Sequence, residues 1–176
     1  SLGGMLAAEL AARRGERCRG LLTLASNASF VAREDWPAAM PATTFADFRA
    51  GCAADAPATL KRFSLLCAQG AAEPRVLGRR LLANAPVQDA AHLLAGLDVL
   101  AALDTRAALL AFGGAQLHLF ADADALVPVE VAGEVQRLLG DAESGIVDSA
   151  SHAFVLERPH EAAAAILAFL REVADV

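Results

Sequence analysis

A short uninterrupted apolar run, Leu21-Leu-Thr-Leu-Ala25, stands between Gly20 and Ser26-Asn27, directly after a segment with helical spacing. Such a run offers no polar face to water, so it suits a strand covered on both sides, as in a parallel sheet between helices. Upstream, Met5, Leu6, Glu9 and Leu10 recur at helical spacing among alanines, with Arg13-Arg14 before Gly15, which predicts a helix beginning within a few residues of Ser1. Helix then buried strand is the rhythm of an α/β fold. It resumes late in the chain, with Gln116–Ala121 expected as a strand, Pro128–Leu139 as a helix, Gly145–Asp148 as a strand and Arg158–Val173 as a closing helix. Between them Pro37, Pro41, Pro57, Pro74 and Pro86 punctuate helical periodicity, as in Leu60–Leu66 and Val76–Leu82, and no strand pattern appears. The expected organisation is a core at 1–28 and 111–176, interrupted by a helical insertion at 29–110.

Composition narrows the classes. The 176 residues suit one domain, and 56% hydrophobic against 20% charged residues excludes a disordered chain. A net charge of -6, from 15 Lys and Arg against 21 Asp and Glu, argues against nucleic acid, whose phosphates need a basic face. Cys18, Cys52 and Cys67 are odd in number and widely spaced, fitting neither a disulfide framework nor a zinc site, so a reducing compartment is expected. No stretch reaches the roughly 18 apolar residues of a membrane span. The longest, Ala107–Ala121, is broken by Gly113-Gly114, Gln116 and His118. The expectation is a cytoplasmic protein that binds no membrane.

In parallel sheets, ligands bind beyond the carboxyl ends of the strands. Three polar residues stand there or at a Gly-rich helix start: Ser1 before Leu2-Gly3-Gly4, Asp124 after the strand ending at Ala121, and His152 after the strand ending near Asp148. A serine hydroxyl attacks a carbonyl once an imidazole takes its proton, and a carboxylate orients that imidazole and stabilises its charged form. The order Ser, Asp, His is that of α/β-hydrolase triads, and Ser1-Leu2-Gly3 matches the last three residues of G-x-S-x-G. Each has a plainer role: Ser1 as a helix cap, Asp124 as a turn residue with Asp122 a rival two places away, His152 as a loop residue. His92, His118 and His160 read as helix, strand and surface residues.

The chain resembles the C-terminal part of an α/β-hydrolase. Ser1-Leu-Gly-Gly-Met, Gly15–Ser26, Asp122–Pro128, Ser151-His152-Ala-Phe and Glu157-Arg-Pro-His-Glu carry the likeness. Within that superfamily it is most similar to the pimeloyl-[acyl-carrier protein] methyl ester esterases of biotin synthesis, on Ala25–Phe30, Arg33–Pro37 and Lys61-Arg-Phe. The resemblance implies a serine carboxylesterase without metal or organic cofactor. Ser1 would be the nucleophile, His152 the general base and then acid, Asp124 its orienter, and the Leu2 N–H an oxyanion donor. The insertion would be a cap in which Phe63 and Trp36 offer apolar surface to an acyl chain, core packing being the alternative for either ring.

Residues 61–80 hold Lys61, Arg62, Arg75, Arg79 and Arg80 against Glu73, a local net of +4 in an acidic chain. In the resembled family the ester arrives on acyl carrier protein, which is acidic, so Arg62, Arg75 and Arg79 are expected to meet such a partner, with solvated surface charge as the alternative. The chain starts at the expected nucleophile, so a missing N-terminal segment of the same fold, carrying the earlier strands and a second oxyanion donor, is expected elsewhere. Other readings are a general esterase, a lactonase, a C–C hydrolase, or a non-catalytic hydrolase remnant that binds a partner. A hydrolase using its own N-terminal amine as base would leave Asp124 and His152 without a part.

Overall fold

The computed structural model describes residues 1–85 and 89–174, leaving 86–88, with Pro86 among them, and the last two residues outside. The core elements are α1 (Leu2–Arg14), β1 (Gly20–Leu24) and, after a long excursion, α6 (Arg106–Ala111), β2 (Ala115–Ala121), α7 (Val131–Leu139), β3 (Glu143–Val147), α8 (Phe154–Glu157) and α9 (Pro159–Ala174). The excursion carries α2 (Ala42–Ala54), α3 (Ala56–Cys67), α4 (Pro74–Ala83) and α5 (Ala90–Ala102). The strands form one parallel sheet in the order β1-β2-β3, with Leu22 opposite Leu117 and Leu119 opposite Gly145.

Strand alternation decides what each face packs against. From β2, Leu117, Leu119 and Ala121 join Phe154, Ala162 and Phe169 on the α9 side. Phe120 points the other way, with Leu21, to meet Met5, Val131 and Val135 of α1 and α7. Phe120 and Phe154 are almost fully buried, each worth about 1.5–3 kcal/mol on the usual transfer scale. β2 is covered on both faces, and the two polar residues that interrupt its apolar run, Gln116 and His118, lie on the Phe120 side with hydrogen-bond partners of their own.

Two elements depart from the sequence expectation. The closing helix expected at Arg158–Val173 is α9, but a short helix absent from that expectation, α8, precedes it, and Arg158 (φ -123°, ψ 55°) separates the two. Pro159 is the cause: its ring disfavours helical geometry at the residue before it, while it sits well in the first position of α9. The helix expected from Pro128 begins at Val131, because Pro128–Glu130 make separate turns first. One further helix, α6, straddles the end of the 29–110 interval and packs against α1.

The excursion leaves and returns at one place. Ser29 and Asp104 form an antiparallel bridge, and the Thr105 N–H and hydroxyl both donate to the Ala28 carbonyl, at 2.8 and 3.0 Å. Beside them Arg106 pairs with Asp104 at 2.6 Å and Asp35 at 2.8 Å, and its guanidinium lies 5.5 Å from the centre of the Trp36 ring.

Candidate active site

Ser1 caps the N-terminus of α1, which packs on β1. Its backbone is fastened to the end of that strand: the nitrogen donates to the Leu24 carbonyl at 2.7 Å, and the carbonyl accepts from the Ser26 hydroxyl at 2.9 Å. That close approach requires Gly4, where a Cβ would meet the Ser26 side chain at 2.7 Å, whereas Gly3 faces open space. The crowding expected of the serine turn therefore falls on the second glycine. As the first residue of α1, Leu2 has an N–H outside the helical ladder, with the positive end of the helix dipole behind it.

Asp124 and Asp122, rivals in sequence, divide the work after β2. Asp124 Oδ1 accepts from the N–H groups of Leu126 (2.8 Å) and Val127 (3.0 Å), which aims Oδ2 at His152 Nδ1, 2.7 Å away. The Asp124 side chain is 1% exposed and that of His152 12%. Asp122 instead accepts from Ala150 N–H at 3.2 Å, and N–H groups of Ser149 and Ala150 hold its carboxyl below the usual range. It fastens the loop that leads from β3 to His152, which turns at Ser149 with φ +50°.

Among the described residues no other histidine joins this cluster. His118 is buried in β2, its Nδ1 2.7 Å from the Thr23 hydroxyl, and burial pushes its pKa down to about 4, so it stays neutral. His92 sits on Asp89 at the start of α5, and His160 is exposed on α9. The Cys67 thiol lies by the same loops, and burial, with the Asp124 charge adding to it, pushes its pKa up to about 12, which leaves it unreactive.

Ser1 meets the acid loop across a cavity of about 80 Å³, whose wall includes Ser1, Leu126, Phe30, Phe45, Phe48 and Phe63. Where one water needs about 10–15 Å³, this holds several water-sized groups. Phe63 packs against Phe48 with the ring centres 5.0 Å apart and the planes tilted by 38°. The Ser1 hydroxyl makes no hydrogen bond to His152; such bonds often tighten only when substrate is bound. Trp36 lies outside this lining. It is buried, its indole N–H donates to Asn27 Oδ1 at 2.8 Å, and its face meets Arg106, so its surface is spent on packing at the root of the excursion. A larger open groove of about 660 Å³ lies at the other end of the strands, by Cys18 and Gly113, away from every residue above.

Lys61 and Arg62 on α3 and Arg75, Arg79 and Arg80 on α4 are all exposed, and the two helices pack together. Among the described residues none of the five has a carboxylate within salt-bridge distance.

No family model matches the chain. It is 36% identical, over 99% of its own length and 35% of the relative's, to the biotin biosynthesis bifunctional protein BioHC of Cellvibrio japonicus (strain Ueda107). It is 33% identical to the pimeloyl-[acyl-carrier protein] methyl ester esterase of Serratia marcescens, over 97% of this chain and 68% of that one. The esterase of Exiguobacterium antarcticum superposes with a TM-score of 0.84 at 18% identity, over 97% of this chain and 64% of that one. The chain thus spans about a third of its bifunctional relatives and about two thirds of the shorter ones. The parallel sheet flanked by helices, the strand-end loops and this identity agree: the chain has the α/β-hydrolase fold and belongs to the pimeloyl-[acyl-carrier protein] methyl ester esterase family.

Proposed function

We propose that this chain is the catalytic part of a serine carboxylesterase that cleaves a methyl ester of an acyl group carried on acyl carrier protein, in biotin synthesis. The observation that carries the reading is the 2.7 Å contact between His152 Nδ1 and Asp124, a carboxylate fixed by two N–H groups, beside an apolar cavity that opens at Ser1. Ser1 Oγ attacks the ester carbonyl while His152 Nε2 takes its proton, with Asp124 stabilising the imidazolium. The Leu2 N–H, at the positive end of α1, donates to the oxyanion. Collapse of the tetrahedral intermediate expels the alcohol, which leaves with the proton from His152. Water activated by the same imidazole then frees the acid from Ser1.

The division into a core at 1–28 and 111–176 and a helical cap at 29–110 belongs to this proposal, with Phe63 and its aromatic neighbours contacting the acyl chain. Arg62, Arg75 and Arg79 receive the acidic carrier. Relatives named for acyl-carrier-protein esters and five cations without carboxylate partners among the described residues support that assignment. The cysteines are free thiols, which suits the cytoplasm, and among the described residues no helix is long and apolar enough to cross a membrane.

Labelling with a serine-directed fluorophosphonate followed by peptide mapping tests the proposal. An adduct on Ser1, abolished in His152→Ala, is the expected result. A protein that hydrolyses esters while Ser1 stays unlabelled would remove Ser1 as nucleophile.

A further inference from the structure

Glu157, at the end of α8, bridges the histidine loop to the excursion. Its Oε2 accepts from both the N–H and the hydroxyl of Ser151, each at 3.0 Å, and its Oε1 accepts from the Ala72 N–H at 3.3 Å. Ser151 is fully buried and immediately precedes His152. On the other side of His152, the Ala153 N–H is shared between Ser151 Oγ and the Cys67 carbonyl, each at 3.3 Å. Both peptide neighbours of His152 are therefore tied, through Glu157 or directly, to the segment 67–72 between α3 and α4. The same segment abuts the acid loop, since Gly70, at φ +93°, lies so close to Ala123 that a Cβ would fall 2.5 Å from its carbonyl oxygen.

We propose that Glu157 is a positioning residue: it holds the His152 loop in register with the 67–72 segment, so that the imidazole stays aimed between Asp124 and Ser1. The proposal rests on the reading of His152 as general base. Hydrogen bonds to a carboxylate are stronger than those between neutral groups, and here one carboxylate collects donors from two parts of the fold. Asp122 holds the loop from the sheet side through Ala150; Glu157 holds it from the cap side. The segment it grips joins the helices that bear Arg62 and Arg75, so this bond sets the base against the surface assigned to the carrier.

The test uses the full-length protein and its Glu157→Ala and Glu157→Gln variants. Two quantities are read: kcat and KM on p-nitrophenyl butyrate, normalised to folded protein, and the low-field proton resonance of the His152–Asp124 hydrogen bond. Glu157→Ala is expected to lower kcat by about 10- to 100-fold with KM within about twofold, as for a small displacement of a catalytic group, and to broaden the low-field proton. Glu157→Gln keeps an oxygen for Ser151 and loses only the bond to Ala72, so it should recover most of kcat and a sharp resonance. Unchanged kcat and resonance in Glu157→Ala would overturn the proposal, as would equal losses in both variants that follow melting temperature alone. Should Glu157→Ala not fold, Ser151→Ala serves, with a several-fold fall in kcat at constant KM expected and an unchanged kcat overturning the idea. Full ester turnover by His152→Ala would instead sink the reading of His152 as general base, and the low-field proton, read in the Glu157 variants, would still report on Glu157.

Discussion

Amidation of Asp124 should be as damaging as its removal, although Asn has nearly the same shape. Two backbone N–H groups, from Leu126 and Val127, point at Oδ1. In Asp124→Asn that site must keep an oxygen, because an NH2 there would face two donors inside a buried loop. The nitrogen then takes the Oδ2 position, 2.7 Å from His152 Nδ1, and as a donor it forces Nδ1 to accept. The proton moves to Nε2, the atom that in the proposed mechanism receives the proton of Ser1. The wrong tautomer costs about four orders of magnitude in kcat where the same change has been made in serine proteases, or about 5 kcal/mol of barrier. Asp124→Ala is expected to be no slower than Asp124→Asn, since an unpartnered imidazole samples both tautomers. Steady-state turnover of a small p-nitrophenyl ester, with near-UV circular dichroism to verify folding, measures both variants. An Asp124→Asn enzyme within tenfold of the parent would refute the tautomer argument.

Three further outcomes are expected. His118 is neutral when folded, with its pKa pushed down to about 4 by burial against 6.5 ordinarily; the unfolded chain binds the extra proton, so stability is lost as pH falls from about 6.5 toward 4, by roughly 3 kcal/mol for a shift of this size. Denaturant melts of the parent and His118→Asn over that range should differ by about one proton in slope, and identical slopes would remove His118 as the cause. Gly70→Ala places a methyl against the Ala123 backbone at φ +93°, so it should lower stability by about 1 kcal/mol or more and reduce kcat; a melting temperature equal to the parent's would contradict the packing described. Charge reversal at Arg62, Arg75 and Arg79 should raise KM for a carrier-bound ester, the more so at low salt, and leave a small ester unaffected; equal effects on both substrates would remove the docking role.

Much of the fold was legible because the parallel strands carry their own signature. Leu21–Ala25 and Gln116–Ala121 carry apolar residues on both faces, Gln116 and His118 apart, since α1 and α7 cover one side and α9 the other. What escaped the sequence was set by contacts between distant segments. The resemblance picked Asp124, but Asp122-Ala-Asp124 by itself does not tell which carboxylate meets the histidine; that depends on where Ala150 and the Leu126 and Val127 N–H groups lie. Gly4 rather than Gly3 bears the close approach because the obstacle is Ser26, across the sheet end. Trp36 was paired with Phe63 as apolar surface, yet the polar partners Asn27 and Arg106 draw it to the root of the excursion. Glu157 carried the family likeness without a role, and only the fold shows that it reaches both Ser151 and Ala72.

The closure of the excursion by Ser29–Asp104 and Thr105–Ala28 bears on how such a protein can change its substrate. A segment whose two ends already meet presents the sheet with a fixed doorway, whatever lies beyond it. Lengthening a closed loop costs only about 0.6 kcal/mol per doubling, so helices between those roots can be added, shortened or exchanged with little penalty to the rest. The tether from Glu157 to Ala72 limits that freedom at one point: a graft that keeps the doorway but omits the 67–72 turn would inherit the sheet and lose one of the supports of the histidine loop.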